Sequence, residues 1–206
     1  EKLNKAVYGA YPQLDNGRKN ILYVPTFRDN GEDTEQLRTA EQALIKQIDY
    51  NKFNLIVKRH VVDGKKEYIY TDSAEQVISG ERFTGMDFMA AADYVVTDYS
   101  SIIYEALLKK LPVYIYCFDS EKYIDERGFY IDFWKDIPAV YSKNAQGIAA
   151  AIQKHETADA EKTEQFKKAY VNKKYPSVTK EYGKLIDKLM RNTYDGRYNY
   201  KENGNE

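Results

Sequence analysis

Short apolar runs alternate with amphipathic stretches through most of the chain, a pattern that predicts an α/β domain, doubly wound around a mainly parallel sheet. Ile21–Val24, Leu55–Val57, Tyr94–Thr97 and Val113–Cys117 have the length and apolar content of buried strands. Tyr68–Tyr70 reads as a further strand after the polar Asp63–Lys66 turn, and Ala139–Tyr141 as a last short one. Between the strands, Leu37, Ala40, Ala43, Leu44 and Ile48 recur at helical spacing, as do Ile102, Ile103, Ala106 and Leu107. Phe83–Ala92 predicts a helix ahead of the Tyr94 strand. Helical pattern then dominates over Ala145–Lys154, Glu161–Asn172 and Val178–Asn192. The last two carry alternating charges, as solvated faces do. Residues 1–19 read as a lead-in joining another domain, 20–192 as the domain itself, and 193–206 as a polar, disordered tail.

In a parallel sheet the carboxyl ends of the strands share one edge, where open α/β folds bind ligands. Three predicted strand ends carry chemistry. The first runs into Pro25-Thr26-Phe27-Arg28-Asp29, in which Arg28 offers a planar fork of donors to phosphate or carboxylate. A solvated Arg28–Asp29 pair is the structural alternative. The second ends in Lys58-Arg59-His60, placing His60 as a donor to phosphate or a general acid. His155, in a polar helical stretch, reads as solvated. The third ends in Thr97-Asp98-Tyr99-Ser100-Ser101, which sets two small hydroxyl residues where a helix begins. Free amides make such a turn suited to phosphate, although Asp98 or Ser100 would equally serve as an ordinary cap.

The spaced set of PTFRD, a Lys-x-His element, TDYSSIIYEALLKKLPVYIY and DSEKYIDERGFYIDF resembles the CDP-glycerol glycerophosphotransferases over roughly residues 20–190. These bacterial enzymes build teichoic acids and related polymers, and ribitol-phosphate polymerases belong with them. The resemblance implies the C-terminal, donor-binding half of a two-domain GT-B architecture. It implies transfer of glycerol phosphate or ribitol phosphate from a CDP-activated donor to a polymer or lipid-linked acceptor, with release of CMP. By the same resemblance the donor loop falls on Thr26, Arg28 and Asp29, and a phosphate-stabilising or acid histidine on His60. The Asp-Tyr-Ser-Ser turn falls on Asp98, Tyr99, Ser100 and Ser101. The last motif falls on Glu121, Lys122, Tyr123, Arg127, Gly128, Phe129 and Tyr130, with Glu121 a candidate for ribose or base edges. Where the family writes Lys-x-His-Pro, this chain has Val61 after His60. Arg28 is expected in an exposed cleft loop, replaceable without loss of stability. A catalytic histidine and much of the acceptor site are expected in a missing N-terminal domain, so this chain alone is expected to bind donor weakly and not to turn over.

Composition narrows the alternatives. With 206 residues the chain suits one α/β domain, and beginning at Glu1 it is expected to belong to a longer polypeptide. Its 31 basic and 32 acidic residues argue against nucleic-acid binding through a basic surface. One cysteine, Cys117, and two histidines leave neither a disulfide framework nor a Cys/His zinc site. No metal or cofactor is expected beyond the donor itself. No apolar run approaches a bilayer span. The resemblance places the full-length protein in the cytoplasm, peripheral at the inner membrane face. The 20 tyrosines read mainly as amphipathic core filling. Two rivals share these features: a GT-B glycosyltransferase domain using a UDP- or GDP-sugar, and a non-catalytic partner-binding module.

Overall fold

Alternate residues of the buried strands face opposite sides of one sheet, and this divides the core in two. A computed structural model of the chain describes residues 2–59, 77–79, 82–170 and 178–194. Six strands are present among these: β1 (Lys19–Val24), β2 (Phe53–Val57), β3 (Val77–Ser79), β4 (Tyr94–Thr97), β5 (Val113–Tyr116) and β6 (Val140–Ser142). All pair in parallel, in the order β3-β2-β1-β4-β5-β6. The sheet reverses its direction of growth between β1 and β4, the position at which such folds open a crevice. The doubly wound expectation therefore holds. Tyr68–Tyr70 lies outside the described residues, and the edge strand β3 lies further along the chain.

Ile21, Tyr23, Leu55, Val57, Val96 and Tyr114 fill one core cluster, under α2 (Gly31–Gln47) and α7 (Ala145–Gln153). Leu22, Ile56, Val95, Val113 and Ile115 fill the other. That second cluster includes Val7 of α1 (Lys2–Ala10), Phe88 of α3 (Gly85–Phe88) and Ile103 of α4 (Ile102–Leu108). It also takes in Phe133 of α6 (Phe133–Asp136) and Phe166 of α8 (Ala160–Tyr170). Two sequence expectations change here. The 1–19 lead-in forms a helix and a short 3-10 turn whose Val7 and Leu14 are buried in the core. The helix expected over Phe83–Ala92 is a single turn, capped by a reciprocal Thr84–Asp87 box.

Among the described residues several tyrosines bury the ring and bond the hydroxyl, whereas the buried Tyr23 hydroxyl has no protein partner and Tyr130 and Tyr182 are exposed. Tyr114 donates to the Glu156 carbonyl at 2.7 Å. Tyr94 meets Nδ1 of His155 at 2.5 Å, so that exposed histidine is bonded as well as solvated. At the amino end of the sheet a buried amide ladder links β1 to β2. Asn54 donates to Asn20 at 2.7 Å and to Asn16 at 3.1 Å, and Asn20 donates to the Ala91 carbonyl at 2.9 Å.

The chain divides into two compact units, Glu1–Phe166 and Lys167–Glu206. In the second, α9 (Val178–Tyr194) leaves Tyr182, Leu185, Ile186 and Met190 exposed. Among the described residues no helix is long and apolar enough to cross a membrane.

Candidate donor site

The loops after β1, β4 and β5 meet at the carboxyl edge of the sheet, and a buried arginine ties them together. Arg28 is 4% exposed. Its Nη2 lies 3.0 Å from Oδ2 of Asp98 and 2.8 Å from Oδ2 of Asp119. Its Nη1 donates to the Thr26 carbonyl at 2.8 Å, and the Tyr99, Phe118 and Tyr123 rings surround the guanidinium at 5.4–5.7 Å. Burial alone would lower the Arg28 pKa, but the two carboxylates outweigh it and raise it, so the charge is locked on. Asp98 also accepts from the Thr26 amide at 2.8 Å and from its hydroxyl at 2.5 Å. Arg28 is therefore not the exposed cleft residue expected from the sequence. Asp98 and Asp119 stand 70 and 91 residues away along the chain, and pairing with them is what allows a charge to be buried here.

Above this knot lies a cavity of about 570 Å³. Thr26, Phe27, Lys58, Arg59, Arg82, Phe83, Gly85, Ser100 and Arg127 are among the residues that line it. Gly85 permits the close approach of α3 to α4, because a Cβ there would come within 2.9 Å of Cδ1 of Ile102. Among the described residues four cations line the cavity against one carboxylate, that of Asp87, which is held by the Thr84 backbone and side chain. The backbone bond from Thr84 is the largest influence lowering the Asp87 pKa. Arg59 is also forked onto the buried Glu41. A concave lining with more cations than carboxylates favours an anion.

The expected site residues separate on this frame. Thr26 and Ser100 line the cavity. Ser101 is the exposed N-cap of α4 and makes no side-chain capping bond. Arg28 lines a smaller hollow of about 50 Å³ next to it, and Asp98 is buried between the loops. His60 lies outside the described residues, although its neighbours Lys58 and Arg59 line the cavity. Glu121, at the start of α5 (Ser120–Glu126), is exposed, pairs with Lys143 at 2.8 Å and lines neither of these two cavities. Arg82 and Phe83 were not singled out from the sequence; an Arg-Phe pair in a polar loop carries little signal. Their grouping, with the Arg82 guanidinium 5.9 Å from the Phe83 ring, follows from the fold.

The model of the CDP-Glycerol:Poly(glycerophosphate) glycerophosphotransferase family matches residues 5–192. The chain belongs to this family. It is 32% identical over 163 residues to the teichoic acid ribitol-phosphate primase of Bacillus spizizenii, covering 79% of this chain and 42% of that protein. It is 30% identical over 137 residues to the teichoic acid glycerol-phosphate primase of Bacillus subtilis, covering 66% of this chain and 35% of that protein. A structure of the wall teichoic acid polymerase TagF, a variant with CDPG, shares the fold with a TM-score of 0.64 at 19% identity. That match covers 94% of this chain and 48% of the polymerase. The chain thus spans less than half the length of these relatives.

Proposed function

We propose that this chain is the donor-binding half of a transferase that moves glycerol phosphate or ribitol phosphate from a CDP-activated donor to a polyol-phosphate polymer. The cation-lined cavity at the crevice between β1 and β4 carries the reading. Its lining includes Lys58, Arg59, Arg127, Thr26 and Ser100, suited to a diphosphate, and Phe27, Phe83 and Met86, which offer apolar surface for a base. The names of the similar primases and the presence of CDPG with the TagF variant support a CDP-polyol over a nucleotide sugar.

In the reaction an acceptor hydroxyl attacks the β-phosphorus of the donor. A new phosphate ester forms, the bond from that phosphorus to the bridging oxygen breaks, and CMP leaves with the electron pair. The hydroxyl proton goes to a base supplied by the remainder of the enzyme. This chain's contribution is to hold the diphosphate and balance charge on the leaving CMP. His60 is assigned to that charge. Arg28 and Asp98 act beneath it, fixing the loop that carries Thr26. No cofactor is assigned, and a polymer or lipid-linked acceptor would put the work at the inner membrane face.

Calorimetric titration of the chain with CDP-glycerol, CDP-ribitol, a UDP-sugar and a GDP-sugar tests the reading. A CDP-polyol should bind best. Preference for a sugar nucleotide would make this a glycosyltransferase domain, and no binding of any of the four would leave a partner-binding module. In the same assay Ser101→Ala should change affinity by less than about twofold, since a surface substitution without a bond to lose shifts free energy by about 0.5 kcal/mol or less.

A further inference from the structure

Among the described residues lining the large cavity and the small hollow beside it, one is shared. It is Arg127, at the carboxyl end of α5. Its guanidinium pairs with Asp29 of the loop after β1 and sits 5.6 Å from the Tyr123 ring. The arginines of this region differ in what holds them. Arg28 is buried between two carboxylates, and Arg59 is forked onto the buried Glu41. Arg127 is 36% exposed at its side chain, and Asp29 is 69% exposed. An ion pair open to water contributes about 0–1 kcal/mol, so exchanging one anionic partner for another is easy. The backbone allows it as well. Arg127 has left helical geometry, and Gly128 follows at φ +64°, a conformation suited to glycine.

We propose that Arg127 is the exchangeable phosphate ligand of this site, held by Asp29 when the cavity is empty and transferred to the donor diphosphate when it is filled. The proposal rests on the nucleotide reading above. The planar fork that now meets the Asp29 carboxylate would meet phosphate oxygens instead, with the Tyr123 ring beneath it in both positions. Asp29 then becomes a competitor: it lowers the affinity for phosphate by as much as its own pair is worth. This assigns a role to the Arg-Gly step after α5 and to Asp29, which lines the small hollow beside the cavity.

The test is a double-mutant cycle read by calorimetry with CDP, using the chain, Arg127→Ala, Asp29→Asn and the double variant, with cytidine as the phosphate-free control. Arg127→Ala should weaken CDP binding about tenfold, the equivalent of one charge-assisted bond. Asp29→Asn should tighten it by about threefold through loss of the competing pair. In the Arg127→Ala background Asp29→Asn should gain nothing, and cytidine affinity should not respond to either change. Melting temperatures should stay close to wild type, because both side chains are exposed. If wild type binds CDP and Arg127→Ala binds it equally well, the proposal fails while the nucleotide reading stands. It also fails if Asp29→Asn tightens binding equally without Arg127, since Asp29 would then act only through its general field. If wild type binds neither CDP nor a CDP-polyol, the nucleotide reading falls and takes this one with it.

Discussion

Arg28→Ala is expected to lower the stability of the domain by about 3–5 kcal/mol, the usual cost of removing one partner from a buried ion pair. The cause is what remains behind. Asp98 and Asp119 have side chains 1% and 6% exposed, and without the guanidinium both carboxylates stay buried with only neutral donors. Asp98 would keep the Thr26 and Tyr99 amides, and Asp119 the Tyr99 hydroxyl at 3.0 Å. Those bonds soften the loss without replacing a positive charge. For a domain of this size the change corresponds to a fall in Tm of about 6–20 °C. Asp98→Asn, which keeps the shape and most of the acceptor capacity, should cost less. Thermal and urea melts of both variants decide the matter. Should Arg28→Ala melt with wild type while losing CDP affinity, Arg28 faces ligand and the knot described here is not what holds the loops.

Ile103→Ala is expected to cost about 2–5 kcal/mol, as truncating a buried aliphatic side chain does when the site cannot collapse around the void. Ile103 is 1% exposed and packs in the same cluster as Leu22, Phe88, Val95 and Ile115. Its neighbour Ile102 lines the cavity, so adjacent residues of one helix serve the core and the site separately. Urea melts should show a lower midpoint with an unchanged slope, and CDP affinity well below the transition should match wild type. A loss below about 1 kcal/mol would mean that α4 is not anchored through this position.

Much of the architecture could be read along the chain, because strands buried on both faces of a parallel sheet appear as plain apolar runs. Tyr94–Thr97 was predicted with its observed bounds, and the helix through Leu37, Ala40 and Leu44 packs as its spacing required. β3 was missed because three residues, Val77–Ser79, are too few to show a period. Residues 1–19 read as a lead-in because the helix within them, Lys2–Ala10, has a single buried residue, Val7. In the site, residue types were legible but their surroundings were not. Arg28 looked like an open donor because nothing near it in sequence reveals the carboxylates that enclose it. Arg127 was visible as a motif letter without a task, since its place between two cavities exists only after α5 has folded against the first loop.

The ladder of Asn16, Asn20 and Asn54 lies at the opposite end of the strands from the cavity, yet it governs the cavity's dimensions. Asn20 and Asn54 are register partners in β1 and β2, both nearly inaccessible to water. Sliding β2 by one residue would displace Lys58 and Arg59 by about 3.3 Å relative to Thr26. The same slide would strand the Asn54 amide away from Asn20 in a dry interior, which costs about 1–3 kcal/mol for each donor or acceptor left without a partner. Apolar strands such as Ile21–Val24 and Leu55–Val57 offer similar surfaces at neighbouring offsets and discriminate among them less sharply. The asparagines act as a vernier: polar groups at one end of the sheet set, to within a single residue, the separation of the cavity-lining loops at the other.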